Sequence, residues 1–237
     1  MRTLLILALF ALASCAPQDI TNTDTRTDQE LFDIAMKKMN DEYYDLAVKD
    51  FEQIEYIYPY SPLVSKAWIM AGYAAYKDKK YLDAAGSFEK MVKHHPSSPQ
   101  APYAMYMVAI SYYDAMMPIT RDQKSTSQAL VAMERLVAVY PESEYAADVK
   151  PKIIILRNNL AAKEMSIAEE LFRRRNLLAA LNRYQTVIVK FDTTLFVPEA
   201  IFRAAEIYRM LGEQQDAENM MKLLKANSPE SEWVGKI

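Results

Sequence analysis

A single spacing of small, large and helix-breaking residues recurs along this chain, and it constrains the fold more than any other feature. Its first copy, Tyr44-x2-Ala47-x3-Phe51-x7-Pro59, returns 37 positions later as Tyr81-x2-Ala84-x3-Phe88-x7-Pro96. Three further copies follow, at Ala129-Met133-Pro141, Ala180-Tyr184-Asp192 and Ala217-Met221-Pro229. The small residue admits a paired helix, the large residue four positions later fills the interface, and proline ends the helix. The spacing therefore predicts five copies of the second helix of a helix–turn–helix unit.

The first helix of each unit is indicated by apolar residues at helical spacing before this frame. In the second unit, residues 67–76 place the small residues Ala71 and Ala75 beside Trp68 and Tyr76. The unit resembles the tetratricopeptide repeat (TPR), whose nominal length is about 34 residues. Since one such unit cannot bury its own apolar face, the units must stack. We predict an all-α fold, an α-solenoid of five TPR-like helix–turn–helix repeats in a right-handed superhelix with one continuous core.

Two irregular spacings between copies of the frame predict departures from a regular array. Eight extra residues around positions 116–124 lie between the two helices of the third unit, where Pro118 and a polar run predict a protruding loop. Fourteen extra residues precede the fourth copy, and positions 152–175 contain neither glycine nor proline. We predict one helix of about six turns there, longer than the other helices of the array.

The N-terminus has the pattern of a bacterial lipoprotein signal. Met1-Arg2 is followed by apolar residues from Leu4 to Ala13, a stretch too short to span about 30 Å of hydrocarbon as a helix. The sequence Leu12-Ala13-Ser14-Cys15 resembles a lipobox, which implies that Cys15 becomes the first mature residue and carries lipid. The alternative is an ordinary signal peptide that happens to end near a cysteine. Ala16, rather than the aspartate associated with inner-membrane retention, indicates the inner leaflet of an outer membrane.

These patterns predict a chain of four segments. They are a lipoprotein signal peptide at residues 1–14, the lipidated cysteine with a flexible polar tether at 15–29, N-terminal TPR-like repeats 1–2 at 30–102, and C-terminal TPR-like repeats 3–5 with the long central helix at 103–237. The folded part is therefore expected in the periplasm, held close to the membrane by the lipid.

Composition argues against catalysis, cofactors and nucleic acid. Four glycines are too few for a Rossmann fold or phosphate loop, and one cysteine excludes an internal disulfide or a cysteine-rich metal cluster. A net charge of −3 provides no basic field for nucleic acid. His94 and His95 are adjacent, so on a helix they point about 100° apart and cannot chelate one ion; contacts at a helix end explain them instead. We expect no catalytic residue, no metal site and no cofactor.

Tyrosines are concentrated in the first two units, and some of them occupy frame positions where a structural role is the default. Others fit the concave face of a superhelix, where a rigid ring with a hydroxyl suits contact with an extended peptide. Both interpretations stay open for the candidate peptide-binding residues, which are Tyr56, Tyr60, Tyr73 and Tyr76.

Arginines cluster at the end of the predicted long helix, at Arg173-Arg174-Arg175, with Arg183 on the following helix. Solvation and a favourable interaction with the helix dipole explain them without any partner. The alternative is a guanidinium patch that binds carboxylates of another protein, because arginine contributes strongly to many protein interfaces.

The order and spacing of several short segments resemble the BamD family of outer membrane protein assembly factors over essentially the whole mature chain. The segments are Tyr58-Pro59-Tyr60-Ser61-Pro62, His95-Pro96, Arg121-Asp122, Tyr140-Pro141-x-Ser143-x-Tyr145, Leu160-Ala161-x-x-Glu164-x-x-x-Ala168-Glu169 and the run from Arg174 to Arg183. Two departures occur: Arg175 stands where the family usually has glycine, and Phe191-Asp192 where it has Tyr-Pro. The loop around Arg121 is also short.

The resemblance implies a non-enzymatic partner of the barrel-forming protein BamA, located at the periplasmic face of the outer membrane. It implies that the C-terminal repeats dock on the POTRA domains of BamA, that the N-terminal repeats receive unfolded outer membrane proteins, and that other assembly lipoproteins take part. By position, Arg174 and Arg183 match family arginines in the region that communicates with BamA. Arg173 and Asn182 adjoin them and complete the expected partner-binding set.

Two other functions compete with this one. A TPR accessory protein of the Tol-Pal and cell-wall synthesis system has similar repeats, but such proteins usually have an N-terminal coiled coil, fewer repeats and no lipobox. Residues 16–29 contain no heptads. A glycan-cleaving enzyme on a helical solenoid would require a glutamate with a raised pKa in a cleft, and the sequence singles none out.

Overall fold

The computed structural model describes residues 25–236, which form ten α-helices and one short 3₁₀ helix, without a strand in that range. The helices are α1 Asp28–Asn40, α2 Tyr44–Ile57, α3 Val64–Lys77, α4 Tyr81–His94, α5 Ala101–Asp114, α6 Lys124–Val139, α7 Glu144–Arg173, α8 Leu177–Lys190, α9 Val197–Leu211 and α10 Gln214–Asn227, with the 3₁₀ helix at Glu232–Lys236. The predicted signal peptide and Cys15 lie outside the described residues. Helix α1 begins at Asp28, two residues inside the segment predicted as a tether, because Thr27 and Glu30 form a capping box.

The helices are arranged as five consecutive hairpins, each an odd-numbered helix followed by an even-numbered one. Close contacts join helices that are neighbours in the chain, and α5 and α7 add a smaller contact across one hairpin. Each odd helix therefore packs between its own partner and the last helix of the preceding hairpin. This arrangement confirms the all-α solenoid of five TPR-like repeats.

The repeated frame acts as the sequence predicts. The small and large residues of the frame are all buried on the even helices, at Ala47 and Phe51, Ala84 and Phe88, Ala129 and Met133, Ala180 and Tyr184, and Ala217 and Met221. Each breaker position lies two residues beyond the end of its helix, including Asp192, where the breaker is not proline. Proline contributes to ending the helix in the other four repeats. Because α8 ends at the same position without proline, the packing of the hairpin also determines where the helix ends.

Four of the five hairpin turns share one backbone conformation. A single residue with positive φ lies in each of them, at Glu42, Lys79, Arg175 and Gly212. The amide of the next residue then donates to the carbonyl five positions back, as in Tyr43 to Lys38 at 2.8 Å. This left-handed C-terminal cap favours glycine, since other residues pay about 1–2 kcal/mol there. The cap explains why glycine suits the position that Arg175 occupies.

The third hairpin has the longer connection that the sequence predicts, between Asp114 at the end of α5 and Lys124 at the start of α6. The side-chain amide of Gln123 holds this loop by donating from Nε2 to the backbone carbonyl of Pro118 at 3.0 Å. The amide of Arg121 donates to the same carbonyl at 2.8 Å, so the loop closes on itself.

Helix α7 is longer than predicted, with 30 residues, or about eight turns rather than six. The prediction started the helix after Pro151, whereas the structure carries this proline inside it. The helix begins earlier because the side chain of Ser143 accepts from the amide of Ala146 at 3.1 Å. Burial of Val149 and Leu156 on either side of Pro151 then holds the helix across the missing hydrogen bond.

The predicted single continuous core is wrong, because the buried residues form three clusters. The first cluster contains residues of all five helices from α1 through α5. The second contains residues of α5, α6 and the first half of α7, and the third contains residues of the second half of α7 and of α8, α9 and α10. On α7 the change occurs between Leu156 and Ala161. Helix α5 begins at Ala101 and contributes to both of the first two clusters. The array therefore continues across residue 102, and its core divides along α7.

Two helical glycines provide a matched test of this packing. A Cβ atom at Gly72 of α3 would lie 2.8 Å from Cε2 of the buried Phe88 ring, whereas a Cβ atom at Gly86 of α4 would meet nothing within 4 Å. Replacing a helix glycine by alanine stabilises by about 1 kcal/mol where space allows, and over-packing a core costs about 1–3 kcal/mol. We therefore expect Gly72→Ala to unfold about 1–3 kcal/mol more easily than Gly86→Ala in urea. Equal stability of the two variants would contradict the close approach of α3 and α4.

Candidate functional site

Five tyrosines of the odd-numbered helices α3, α5 and α7 lie beside one another across successive hairpins. The ring centroid of Tyr145 is 5.0 Å from that of Tyr106 and 6.1 Å from that of Tyr103. Tyr73 is close enough to Tyr103 to contribute to the raised pKa of Tyr103, and Tyr106 is close enough to Tyr76 to contribute to the raised pKa of Tyr76. All five are partly buried, with an accessible edge. We call Tyr73, Tyr76, Tyr103, Tyr106 and Tyr145 the tyrosine row.

Carboxylates of the next odd helix anchor two members of the tyrosine row. The hydroxyl of Tyr76 on α3 donates to Asp114 on α5 at 2.5 Å, and the hydroxyl of Tyr106 on α5 donates to Asp148 on α7 at 3.0 Å. Lys152 also contacts Asp148 at 2.8 Å, and its hydrogen bond holds the pKa of Asp148 below the ordinary value. A tyrosine hydroxyl that donates to an aspartate carboxylate thus connects successive hairpins at two places.

Ionisation of these tyrosines opposes folding at high pH. Burial, followed by the bond to Asp148, raises the pKa of Tyr106 from 10.0 to about 12, and burial with Asp114 raises the pKa of Tyr76 further. Because the pKa in the folded state exceeds that in the unfolded chain, the protonated hydroxyls stabilise the folded state, and this contribution is complete below pH 10. It is lost as the pH rises from about 10 toward about 12, where the phenolate would face a carboxylate.

The four tyrosines predicted to bind a peptide fall into two groups. Tyr73 and Tyr76 belong to the tyrosine row, whereas Tyr56, 76% exposed, and Tyr60, 99% exposed, lie at the end of α2 and in the turn after it. Within residues 25–236, neither Tyr56 nor Tyr60 makes a ring contact with the row. The sequence reasoning missed three members of the row. The available signal was Tyr73-x2-Tyr76, which recurs 30 positions later as Tyr103-x2-Tyr106.

The predicted arginines surround the junction of α7 and α8, and we call Arg173, Arg174, Arg175 and Arg183 the arginine patch. Arg173 and Arg174 both contact Glu170, the latter through Nε at 2.7 Å, and both remain exposed, by 74% and 73%. The hydrogen bond from Arg174 is the main cause of the lowered pKa of Glu170. Guanidinium groups outnumber the nearby carboxylates, so the patch retains positive charge.

Arg183 connects the two helices of the junction. Its Nη1 atom lies 3.0 Å from Oε2 of Glu164 on α7, while 46% of its side chain stays accessible. Asn182 is exposed beside it, and its backbone carbonyl accepts from the hydroxyl of Thr186 at 2.9 Å. The structure therefore brings Arg183 and Asn182 together on α8 and places Arg173 and Arg174 at the end of α7.

Another arginine, Arg203, which the sequence reasoning did not single out, is partly buried near the C-terminal end of the array. Arg203 on α9 bonds Glu206 at 2.8 Å, and its guanidinium carbon lies 5.3 Å from the ring centroid of Trp233. Trp233 also packs on Phe202, with ring centroids 5.2 Å apart. Burial raises the pKa of the neighbouring Glu199. The C-terminal 3₁₀ helix therefore covers the end of the array by stacking on Arg203.

The two histidines contact an aromatic ring. The centroid of Trp68 lies 5.2 Å from the ring of His94 and 5.9 Å from that of His95. Between residues 25 and 236, no group of three histidine, cysteine, aspartate or glutamate side chains is placed to hold a metal ion. In the same part of the chain, no helix combines the length and the apolar character needed to cross a membrane.

A family model, named relatives and a solved structure are similar to this chain. The family model YfiO, described as outer membrane lipoprotein, matches residues 24–223. A Caulobacter vibrioides protein named outer membrane protein assembly factor BamD is 32% identical over 231 residues, covering 96% of this chain and 76% of that protein. A Rickettsia prowazekii protein of the same name is 29% identical over 230 residues, covering 97% and 91%. The crystal structure of the MamA protein aligns with a TM-score of 0.39 at 16% identity, covering 86% of this chain and 92% of that chain.

The bond between Tyr76 and Asp114 can be measured by a double-mutant cycle of Tyr76→Phe and Asp114→Ala, since alanine leaves no acceptor for the hydroxyl. We expect the two groups to contribute a coupling free energy of about 1 kcal/mol to unfolding at pH 7, because each loses its partner in either single variant. Tyr113→Phe is the control, since its hydroxyl bonds no residue of the described chain. Additive effects in the cycle would mean that the hydroxyl of Tyr76 is free.

Proposed function

This chain belongs to the YfiO family of outer membrane lipoproteins, and from that premise we propose that it is a non-enzymatic periplasmic scaffold in the assembly of outer membrane β-barrels. The relatives described above are named assembly factors. One observation supports a scaffold most directly: helix α7 carries a candidate docking surface at each end, with Tyr145 in its first turn and Arg173 in its last. At about 1.5 Å per residue these two positions are about 42 Å apart.

For the tyrosine row, we propose contact with an extended segment of an unfolded outer membrane protein. Rings packed against one another across hairpins form a rigid surface, and their binding costs little side-chain entropy. The hydroxyls of Tyr76 and Tyr106 already donate to carboxylates, so they offer only acceptor positions to a peptide. Tyr56 and Tyr60 are far more exposed and would extend the contact toward the first repeat.

For the arginine patch, we propose docking on the POTRA domains of a BamA-like barrel assembly protein. Arg173, Arg174 and Arg183 are accessible, and their planar groups suit bidentate contact with carboxylates. Asn182 adds an exposed amide beside Arg183. Because Glu164 and Glu170 already contact these arginines, a partner carboxylate would share the guanidinium groups with them.

For location, we propose a lipid on Cys15 that holds the protein at the periplasmic face of the outer membrane. The lipobox-like sequence supports this, and acyl chains contribute about 0.8 kcal/mol per buried methylene. Twelve residues, 16–27, lie between Cys15 and Asp28, where α1 begins. As the proposed flexible tether, a segment of that length would reach roughly 20 Å and would keep the first repeat near the bilayer.

The docking role of Arg183 can be separated from its internal ion pair. We expect Arg183→Glu to weaken binding to purified POTRA domains by about tenfold to a hundredfold, the loss of one charged hydrogen bond. The double variant Arg183→Glu with Glu164→Arg restores an ion pair between α7 and α8 in reversed order, and we expect it to bind as weakly as the single variant. Affinity is measured by calorimetry, with helicity checked by circular dichroism.

The control is Lys225→Glu, which makes the same charge change at an exposed position of α10. We expect it to bind as the unaltered chain does, apart from a small effect of net charge. If the swapped pair restored full affinity, Arg183 would serve only to join α7 and α8, and the docking proposal would be wrong.

Lipidation predicts a change in fractionation. Cys15→Ala removes the only cysteine of the chain, and we expect the protein to leave the membrane fraction for the soluble periplasmic fraction. Cys15→Ser serves as a second variant with nearly the same shape. Unchanged membrane retention of both variants would discard the lipid anchor.

A further inference from the structure

An apolar groove lies between the even helices α4 and α6, with α5 as its floor. Its volume is about 820 Å³, and Met105 and Val108 of α5 form the bottom. Val92 of α4 and Val131 and Ala132 of α6 line the walls. Val131 lines the groove and is 64% exposed, so its apolar side chain is available to a partner. We call this the α4–α6 groove; neither the tyrosine row nor the arginine patch takes part in it.

Positive charge surrounds the α4–α6 groove. Lys93, Lys124 and Arg135 line it, all three are exposed, and none forms an ion pair with another described residue. The one carboxylate that lines it, Glu89, accepts from the hydroxyl of Tyr112 at 2.9 Å. The groove therefore combines an apolar floor with three cations and one carboxylate, and none of the three cations forms an ion pair within the described chain.

The equivalent groove one repeat earlier has the opposite character. It lies between α2 and α4, and its lining alternates the two signs of charge, with Asp45, Glu52 and Asp83 against Lys49, Lys80 and Lys90. Two of these lysines are engaged, Lys80 with Asp78 and Lys90 with Glu55, each at 2.7 Å. This groove is balanced within itself and needs no partner.

The second wall of each groove, on α4 in one and on α6 in the other, is lined by the same positions of the repeat, which allows a direct comparison. Position 83 on α4 corresponds to position 128 on α6, 45 residues further along, and there aspartate has become glutamine. By the same shift, Gly86 corresponds to Val131 and Ser87 to Ala132. Relative to the α2–α4 groove, the α4–α6 groove has thus lost an acid and gained apolar surface.

We propose that the α4–α6 groove docks an amphipathic helix of a partner protein, apolar on one face and carrying carboxylates beside it. The lining of α6 runs from Lys124 to Arg135, three turns or about 16 Å. A helix with anchors at i, i+3, i+4 and i+7 fills such a groove, and its flanking carboxylates meet the free cations. The proposed function does not require this surface, so the groove provides a third docking site.

The test uses a synthetic helical peptide with leucines at i, i+3, i+4 and i+7 and glutamates on either side. Fluorescence anisotropy measures its binding to the full chain in detergent. A second peptide replaces every glutamate by lysine, and we expect it to bind at least about tenfold more weakly because it faces three cations. Failure of the acidic peptide to bind, or equal binding of the basic peptide, would overturn the proposal.

Val131→Glu and Gly86→Glu are matched variants, since the two positions correspond in the two grooves. We expect Val131→Glu to weaken binding of the acidic peptide by about tenfold, roughly the effect of losing one buried valine contact. Gly86→Glu should bind as the unaltered chain does, because it alters only the α2–α4 groove. An equal loss in both variants would assign the effect to net charge and end the proposal.

Two further measurements keep the outcome decisive. If Val131→Glu does not fold, the double variant Lys93→Glu with Arg135→Glu replaces it, since both residues are exposed and unpaired within the described chain. Sedimentation equilibrium tests whether the groove instead binds a second copy of the chain. Self-association that Val131→Glu abolishes would replace the partner helix by a copy and would contradict the proposal.

Discussion

Packing of the even helices α2 to α8 against the odd helices on both sides is the interaction on which the rest of this structure depends. No hairpin encloses a core of its own, so the small frame residues must sit where a neighbouring helix approaches. They are fully buried in every repeat, at Ala47, Ala84, Ala129, Ala180 and Ala217. Because contacts run almost entirely between consecutive helices, the surfaces of the array are also built from neighbouring repeats. The tyrosine row exists only while α3, α5 and α7 stay in register.

Helix α7 gives this regular array its two distinct halves. Its first half packs in the second cluster and its second half in the third, with the change between Leu156 and Ala161. The helix is one rigid element of 30 residues, so it fixes the separation between the tyrosine row and the arginine patch. A scaffold that holds two partners at a set distance requires such an element, and it requires no catalytic group. The α4–α6 groove lies on even helices and would leave both surfaces free.

Much of the fold could be predicted from the sequence, because one frame repeats at nearly constant spacing and each residue in it has a local effect. The start of α7 could not, since a proline at position 151 normally breaks a helix, and only tertiary burial of Val149 and Leu156 retains it. Only two of the five members of the tyrosine row were predicted. Tyr145 could not be, because it lies 39 residues after Tyr106 and their contact is set by the stacking of hairpins rather than by spacing. The pairing of Arg183 with Glu164 likewise depends on how α8 returns along α7.

Depletion of the protein from growing cells tests an assembly role most directly. The amount of folded outer membrane barrels is measured by their altered migration on unheated gels, and the rate of septal cell-wall synthesis is measured in the same cells. A scaffold for barrel assembly predicts that folded barrels fall first while septal synthesis continues. Unchanged folded barrels together with a defect confined to the septum would contradict that role and would favour a TPR accessory protein of the Tol-Pal system.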